Sequence, residues 1–471
     1  MASDPSEVAY TTPSDPAESP ETKPASPELA LRSLSIHGAK WLRIYWVDYA
    51  SSSKCRLVPT IEIYRALQDG KQVTLSITKA SLGILQTDAM IPGVTATGVY
   101  DLHPVWSSLR SGPAPGHVSC YGEFRQVNGL DCVLCPRTLL RRTVEKASAR
   151  GLSFLVGFEI EFVAMQKNAD GPEKYRPIPH DGHSWSTSRV LADWGREGSL
   201  TTVLDEIVDQ LNMAGIAIQQ LHAESAPGQY EIVLPPFEPL KACDTLLHAR
   251  QMIESTAARH GFRITLHPKP WAHACGSASH AHISVSEGGG NAATPSRVYE
   301  SFYAGVLKHL RAISAFTYPS PASYERAVDG YWAGGRWVAW GSQNRETPLR
   351  KIDGSHWEFK ALDGMANPYL AVAAILAAGT KGVIDEAPLT FRDCEADPAN
   401  LTESQRKELG ITEMLPQSLE EALEVLKADE DLVEMLHPDA VERYINTKAA
   451  ETAFLAPMSS EERRAWILER Y

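Results

Sequence analysis

The chain has 471 residues, of which 43% are hydrophobic and 22% charged, a composition typical of a globular protein with more than one domain. Its formal net charge of -13 argues against nucleic acid as a partner, because phosphate binding needs clustered Lys and Arg. The 7 cysteines are scattered and odd in number, which favours a reducing compartment over a disulfide framework. The lone pair Cys132 and Cys135 is interpreted as structural, since no second pair completes a zinc site.

Neither a targeting segment nor a membrane span is expected. The first residues lack the basic and then apolar layout of a signal peptide. The most apolar helical run, 366–378, is shorter than the ~20 residues that cross a bilayer. We therefore expect a cytoplasmic protein with no membrane partner.

Composition divides the chain into three segments. Residues 1–35 are rich in Pro, Ser and acidic groups and are expected to form a disordered tail. Residues 36–135 contain short β-rich runs such as 41–47 between turns, which predicts a small mixed α/β domain. Residues 136–471 are expected to form a larger α+β domain.

Helical patterns mark the start and the interior of this larger domain. Residues 136–151 have Pro in the first turn and a closing Gly, which predicts a helix that links the two domains. Residues 202–215 and 418–428 also show helical periodicity.

One predicted strand of the larger domain carries carboxylates on one face. Side chains alternate along a strand, so Phe158, Ile160 and Phe162 point one way. Glu159 and Glu161 then share the other face. Taken alone, this pattern is typical of a half-exposed strand with solvated glutamates.

The same arrangement recurs in two further predicted strands. In the segment 280–285, His280, His282 and Ser284 share a face. In the segment 356–360, the same holds for the polar residues at 356, 358 and 360, namely His356, Glu358 and Lys360. Three such strands in one domain indicate a shared polar site.

A fourth element brackets a Pro-Gly turn with two more carboxylates. If the faces converge, the site gathers five glutamates and one histidine: Glu159, Glu161, Glu224, Glu231, Glu358 and His280. So many carboxylates cannot share a dry site without cations, because like charges would force protonation. Oxygen-rich ligands select Mg²⁺ or Mn²⁺ over zinc, so we predict two sites for such ions.

Three arginines follow in the chain, namely Arg326, Arg345 and Arg350. Arg offers planar donor forks that suit phosphate and carboxylate groups. Metals together with arginines suit phosphoryl transfer, in which stabilisation of spread negative charge is most of the catalysis.

In this order, the segments resemble the glutamine synthetase family. The shared motifs are E-x-E, E-x-x-P-G-Q-x-E, K-P…G-S-x-x-H-x-H-x-S, N-R-x-x-x-x-R and E-x-x-x-x-D-x-x-x-N-P-Y-L. The resemblance covers nearly the whole chain from about residue 36 and is strongest between residues 156 and 378. It implies an N-terminal β-grasp domain and a catalytic domain with an open, barrel-like antiparallel sheet.

The resemblance also implies roles for individual residues. One metal would be held by Glu161, Glu224 and Glu231, and the second by Glu159, His280 and Glu358. The ATP site would include His282, Ser284, Arg345, Arg350 and His356. The amino-acid substrate would contact Cys275, Gly276, Arg326, Trp332 and Lys360, and Arg345, Arg350 and Lys360 would be catalytic. Members of the family assemble as two stacked rings with active sites between neighbouring subunits, so we expect a homo-oligomer.

Several positions depart from the family pattern. The family has an ammonium-binding glutamate at Trp332 and an ammonium-binding aspartate at the position best matched by Thr78. On the acid side, Cys275 replaces an asparagine and Lys360 an arginine, and His356 replaces an arginine near the phosphates. An indole can pack on an alkyl amine or offer a cation–π face.

The preferred hypothesis is therefore an ATP-dependent ligase that activates the γ-carboxylate of glutamate, or of a related acid, as an acyl phosphate and captures it with an organic amine. Ordinary glutamine synthesis from ammonium is the first alternative. A catalytically inactive structural ring protein of the same family and a guanidino kinase of related fold are the others.

Overall fold

The structure is a computed structural model that describes residues 38–168, 174–178, 198–288, 296–331 and 333–471. The expected tail, residues 1–35, and Trp332 lie outside the described residues. Disorder of the tail therefore stays a prediction.

The first sheet is mixed and has five strands in the order β2-β1-β5-β4-β3. Its strands are β1 (Trp41–Val47), β2 (Ser53–Pro59), β3 (Leu75–Thr78), β4 (Val99–Ser111) and β5 (His117–Arg125). Strand β1 is antiparallel to β2 and parallel to β5, and helix α1 (Thr60–Gln68) connects β2 to β3. This arrangement agrees with the expected β-grasp-like region, whereas the domain boundary at residue 135 stays a prediction.

The second sheet has nine strands in the order β12-β13-β14-β11-β6-β9-β8, with β7 and β10 also paired to β6. Its strands are β6 (Leu152–Lys167), β7 (Tyr175–Pro177), β8 (Gln220–Ala223), β9 (Gln229–Val233), β10 (Phe262–Thr265), β11 (Ala281–Glu287), β12 (Trp340–Ser342), β13 (Leu349–Asp353) and β14 (His356–Phe359). All pairs except β12–β13 are antiparallel. Because one 16-residue strand, β6, binds four neighbours, the sheet curls around it, as expected for this fold.

Helices pack against the second sheet and close the core. They are α2 (Pro136–Ser148), α3 (Leu200–Met213), α4 (Pro239–Arg259), α5 (Ser296–Thr317), α6 (Pro321–Arg326), α7 (Pro368–Ile384), α8 (Glu403–Glu408), α9 (Leu419–Ala428), α10 (Glu430–Leu436), α11 (Pro438–Leu455) and α12 (Ser460–Leu468). Helix α7 is buried from Pro368 to Thr380 and packs closely on α5. A Cβ added to Gly305 would lie 2.4 Å from the carbonyl oxygen of Ala378, so this crossing requires glycine.

The three helices predicted from periodicity are confirmed, with small shifts at their ends. Helix α2 ends at Ser148 because the chain reverses at Gly151, where φ is +78°. Helix α3 begins earlier than expected because the Ser199 hydroxyl accepts from the Thr202 amide and caps it. All seven cysteines are free thiols, with Cys132 and Cys135 buried. None of the described helices combines the length and the apolarity that crossing a bilayer would require.

A buried ion triad joins the two sheets. Arg137 on α2 lies 2.5 Å from Glu123 on β5 and 2.9 Å from Asp244 on α4. Burial opposes the charge of Arg137, but the carboxylates outweigh it and raise its pKa well above the ordinary value. The Tyr369 hydroxyl also donates to Asp244 at 2.6 Å.

Replacing Arg137 by Ala should lower the free energy of unfolding by about 3–5 kcal/mol, because two buried carboxylates lose their partner. Urea denaturation measures this change. The matched control is Arg65→Ala, whose exposed pair with Glu62 should contribute no more than about 1 kcal/mol. Similar losses in both variants would contradict a structural role for the triad.

Candidate active site

The six predicted metal-binding residues come from neighbouring strands of the second sheet and from the ends of those strands: Glu224 directly follows β8, and His280 directly precedes β11. Glu159 and Glu161 lie on β6, and Glu231 on β9 stands directly opposite Glu161. Glu358 on β14 stands opposite His282 on β11. Strand alternation and register thus bring distant parts of the chain to one face of the sheet.

The turn that positions Glu224 and Glu231 requires a glycine. Gly228 has φ of +77°, and a Cβ there would lie 2.4 Å from the carbonyl oxygen of Ala164. The Glu224 amide donates to the Gln229 carbonyl at 2.8 Å and closes the turn. Only glycine meets both demands, which accounts for the P-G-Q segment between the two carboxylates.

One compact group of potential metal ligands contains Glu159, His282 and Glu358, whose ligand atoms all lie within 4.8 Å of one another. Positively charged side chains surround this group. Lys360 Nζ donates to Glu358 Oε1 at 3.1 Å, and Arg350 Nη1 donates to Glu358 Oε2 at 3.0 Å. Although burial opposes ionisation, the charges of Lys360, His280 and His282 lower the pKa of Glu358 to about 2.

A histidine pair extends this group away from Glu159. His282 Nε2 lies 3.0 Å from Glu159 Oε1, and His282 Nδ1 lies 2.9 Å from His356 Nε2. Burial disfavours the charge of His282, but the bond to Glu159 outweighs it and raises the pKa. Burial and the charge of His282 lower the pKa of His356 to about 4. The ring of His282 therefore bridges Glu159 and His356.

His280 lies beside this group rather than inside it. Its Nδ1 is 2.8 Å from Glu159 Oε2 and 3.4 Å from Glu358 Oε1. Arg326 Nη2 donates to its Nε2 at 3.2 Å, so Nδ1 carries the proton. To bind a cation through Nδ1, His280 would carry its proton on Nε2 instead, and the donors Arg326 and Lys360 would have to move away from that nitrogen.

A second compact group contains His222, Glu224 and Glu231. His222 Nε2 lies 3.2 Å from Glu231, and His222 Nδ1 lies 3.7 Å from Glu224. Glu161 adjoins this group on β6. Its Oε2 accepts from Gln229 Nε2 at 2.7 Å and from the Ala278 amide at 2.8 Å, which leaves Oε1 for other partners.

Charge compensation differs between the two groups. Burial first, and then the charges of neighbouring carboxylates, raise the pKa of Glu231 well above its ordinary value. Burial and the charge of Glu224 raise the pKa of Glu161 despite nearby His280. Glu159, by contrast, has a pKa well below normal because bonds from His280 and His282 outweigh its burial.

This donor set fits divalent cations. Two groups of three donors are each compact enough to bind one ion, and carboxylate oxygens dominate both. In the second group, buried like charges lack enough cationic neighbours in the described residues, so an ion would relieve the repulsion. Nitrogen from His222 favours Mn²⁺ over Mg²⁺ there.

Some of the other predicted site residues contact these groups or their neighbours, and others do not. Arg350 and Lys360 contact Glu358 directly, and Arg326 contacts the adjoining His280. Gly276 touches Arg326, since a Cβ there would lie 2.4 Å from Arg326 Cγ. Cys275 and Ser284 are half-buried, and Arg345 is exposed without a hydrogen bond to any described residue. Trp332 lies outside the described residues.

Two functional candidates escaped sequence reasoning. His222 stands two residues before Glu224, and strand alternation could have assigned both to one face. Gln229 belongs to the quoted P-G-Q motif, but its role requires the contact with Glu161 across two strands. The role of His222 could therefore have been predicted from the sequence, whereas that of Gln229 required the pairing register of β6 and β9.

Comparison with known proteins identifies the family. Residues 133–471 match the model "Glutamine synthetase, catalytic domain". Protein fluG of Emericella nidulans is 42% identical over 445 residues, which are 92% of this chain but only 49% of that protein, so the chain spans about half the length of this relative. Gamma-glutamylpolyamine synthetase GlnA3 of Streptomyces coelicolor is 30% identical over 89% of this chain and 91% of its own length.

Solved structures agree. The structure "Apo GmaS without ligand" superimposes with a TM-score of 0.77 and 25% sequence identity, covering 93% of this chain and 98% of that one. The chain belongs to the glutamine synthetase family, whose enzymes are ATP-dependent carbon–nitrogen ligases.

Replacing Glu231 by Gln should stabilise the metal-free chain and weaken cation binding. With its raised pKa, Glu231 keeps a proton in the folded state that the unfolded chain loses above the ordinary value of 4.5. Stability of the metal-free chain therefore falls as pH rises from 4.5 through the raised pKa, and Gln removes this loss.

Thermal unfolding in chelator across this pH range, together with calorimetric titration of Mn²⁺, measures both effects. Affinity should fall by at least about tenfold, as losing even an outer partner of a metal ligand costs roughly 10–100-fold. Glu287→Gln, at the exposed end of β11, should change neither quantity. Unaltered Mn²⁺ affinity in Glu231→Gln would remove this residue from the metal site.

Proposed function

We propose that the chain is a ligase that joins a γ-glutamyl group to an organic amine, through an acyl phosphate formed with ATP. The observation that carries the proposal is the presence of two compact groups of potential metal ligands. By resemblance, the family has anionic partners for ammonium at two positions where this chain has Trp332 and Thr78. Thr78 cannot supply the missing charge, because its hydroxyl is neutral and accepts from the Ala80 amide at 3.4 Å.

The similar proteins support an amine as acceptor. One relative is named gamma-glutamylpolyamine synthetase and matches 89% of this chain. A polyamine or alkyl amine has apolar methylenes beside its nitrogen, which an indole accommodates better than a carboxylate does. Ammonium lacks this apolar part, so the exchange of Glu for Trp332 favours the larger nucleophile.

We assign residues to the reaction as the geometry permits. Two Mg²⁺ or Mn²⁺ ions would be held by the two donor groups with Glu161 and His280, and would neutralise charge on the phosphates. Arg350 and Lys360 stand beside Glu358, where they would orient the γ-phosphate. The residues assigned to the nucleotide are His282, Ser284, Arg345, Arg350 and His356, and those assigned to the acid are Cys275, Gly276, Arg326 and Lys360.

The reaction would then run in two balanced steps. A carboxylate oxygen of the acid attacks the γ-phosphorus of ATP, and ADP leaves. The amine nitrogen next attacks the carbonyl carbon of the acyl phosphate, loses a proton, and expels inorganic phosphate. Buried arginine and lysine side chains offset the charge that develops in both steps.

The wider organisation follows the same proposal. We infer a homo-oligomer in which a first-sheet region, residues 36–135, completes the active site of a neighbouring catalytic region, residues 136–471. We also propose that the protein acts in the cytoplasm on small molecules.

Phosphate release with glutamate, ATP and a series of acceptors tests the proposal. Rates should be higher with primary alkyl amines or polyamines than with ammonium at the same concentration. Mass spectrometry should detect the γ-glutamyl amide, and a stable phosphorylated product without amide would instead indicate a kinase. Rates highest with ammonium would favour glutamine synthesis.

Replacing Trp332 by Glu should restore a negative partner for ammonium. We expect the ratio of ammonium to amine rates to rise by about tenfold or more, comparable to one charged hydrogen bond. The control Trp332→Phe keeps an aromatic face and should retain the preference for amines. An unchanged ratio in Trp332→Glu would separate this residue from the choice of nucleophile.

A further inference from the structure

A cavity lies on the face of β6 opposite the predicted metal-binding side chains. Its volume is about 310 Å³, and its floor includes Ile160 and Phe162 of β6. These side chains point away from Glu159 and Glu161, because neighbouring residues of a strand face opposite sides. Helix α4, strand β10, the β1–β2 turn, the segment 364–368 and the residues 470–471 form the rest of the wall. The cavity is therefore separate from the site already described.

Size and lining indicate the class of ligand. A water molecule occupies about 30 Å³ in the liquid, so the cavity holds about ten non-hydrogen atoms. Much of the wall is aliphatic or aromatic, and Arg250 and Arg470 are among the lining residues. The guanidinium of Arg470 donates to the Trp466 carbonyl at 3.0 Å and lies over the Trp466 ring, so Arg250 is the cation that faces a ligand. Among the described lining side chains the carboxylate is Glu254, which is largely exposed and pairs with Arg263 at 3.4 Å. An amphiphilic anion suits this combination.

Unsatisfied polar atoms lie along one turn of α4 at this cavity. The Nε of Arg250 and both amide atoms of Gln251 are buried without a hydrogen-bond partner in the described chain. The two Nη atoms of Arg250 donate to neutral oxygens, those of Gly364 at 3.1 Å and Ser279 at 2.8 Å. Burial lowers the pKa of Arg250 to about 10, so it stays charged at neutral pH. The charge of Asp363 favours the ionised form of Arg250. The buried Nε–H of Arg250 still lacks an acceptor among the described residues, and a bound carboxylate would supply one.

Arg250 also connects the cavity to the metal site. Its partner Ser279 donates to the carbonyl oxygen of Glu159 at 3.1 Å and directly precedes His280. Movement of Arg250 toward a bound anion would thus act on two predicted metal ligands through one hydroxyl group. This is a short physical connection between the two faces of β6.

We propose that the cavity is a second binding site for a small amphiphilic carboxylate, and that its occupation changes the affinity of the active site for divalent cations. Its carboxylate would bind Arg250 and Gln251, with the apolar body on Ile160 and Phe162. The binding site stands apart from the proposed ligase function, whereas the coupling depends on the proposed metal site. The two parts are therefore measured separately.

Calorimetric titration of the full chain with octanoate, in chelator, tests the first part. Octanoate has about the number of heavy atoms that the volume admits. We expect saturable binding of one octanoate per chain and at least about tenfold weaker binding of the neutral control octanamide, since a charged hydrogen bond is lost. Absence of octanoate binding, or equal affinity for both probes, would overturn the anion site.

Two variants locate the binding. Arg250→Gln should weaken octanoate at least about tenfold. Ser53→Trp places an indole at the cavity wall from an exposed strand end and should abolish binding, whereas Ser53→Ala should bind normally. If Arg250→Gln fails to fold, the comparison of Ser53→Trp with Ser53→Ala tests the location of the site by itself. Undiminished binding in Ser53→Trp would overturn the assignment to this cavity.

Mn²⁺ titration with and without saturating octanoate tests the coupling. A change of about fivefold or more in Mn²⁺ affinity is expected, the lower end of typical coupling between sites. The change should disappear in Ser53→Trp. Equal Mn²⁺ affinities would overturn the coupling, and loss of Mn²⁺ binding altogether would instead contradict the metal site.

Discussion

Repulsion among five buried glutamates is the constraint on which the site depends. Glu159, Glu161, Glu231 and Glu358 are largely buried on one face of the second sheet, with Glu224 at its edge. A folded chain tolerates such a face only if protons, cationic side chains or metal ions balance it. The pKa shifts of these carboxylates show how unevenly the cationic side chains are distributed over the face.

The imbalance divides the face into two halves with different requirements. Near Glu358, Lys360, Arg350 and the His282–His356 pair supply positive charge, so the carboxylates there remain ionised. Near Glu231, the described neighbours are mostly carboxylates, so protonation is favoured instead. Cation binding at the second half therefore releases protons, and its affinity depends more strongly on pH.

Sequence reasoning could predict the strands that carry this face because alternation is a local property. The opposed sets on β6 follow directly from residue spacing, and three of the helices, α2, α3 and α9, follow from periodicity and terminal residues. The motif order added the family and hence the fold. What sequence could not provide depends on register and three-dimensional proximity, such as the Gln229–Glu161 contact, the triad around Arg137 and the cavity behind β6.

The position of Lys360 links charge balance to substrate choice. Its ammonium group lies 3.1 Å from Glu358 and 3.4 Å from His280, so it faces the metal-binding side chains. An arginine at this position would have offered a fork with donors left over for a substrate carboxylate, whereas the compact lysine group does not. Under the proposed function, acid recognition would rest more heavily on Arg326, which itself donates to His280. The chain thus retains the charges that balance this face of the sheet, and its departures from the family pattern fall at the positions that the proposal assigns to the acid and the amine.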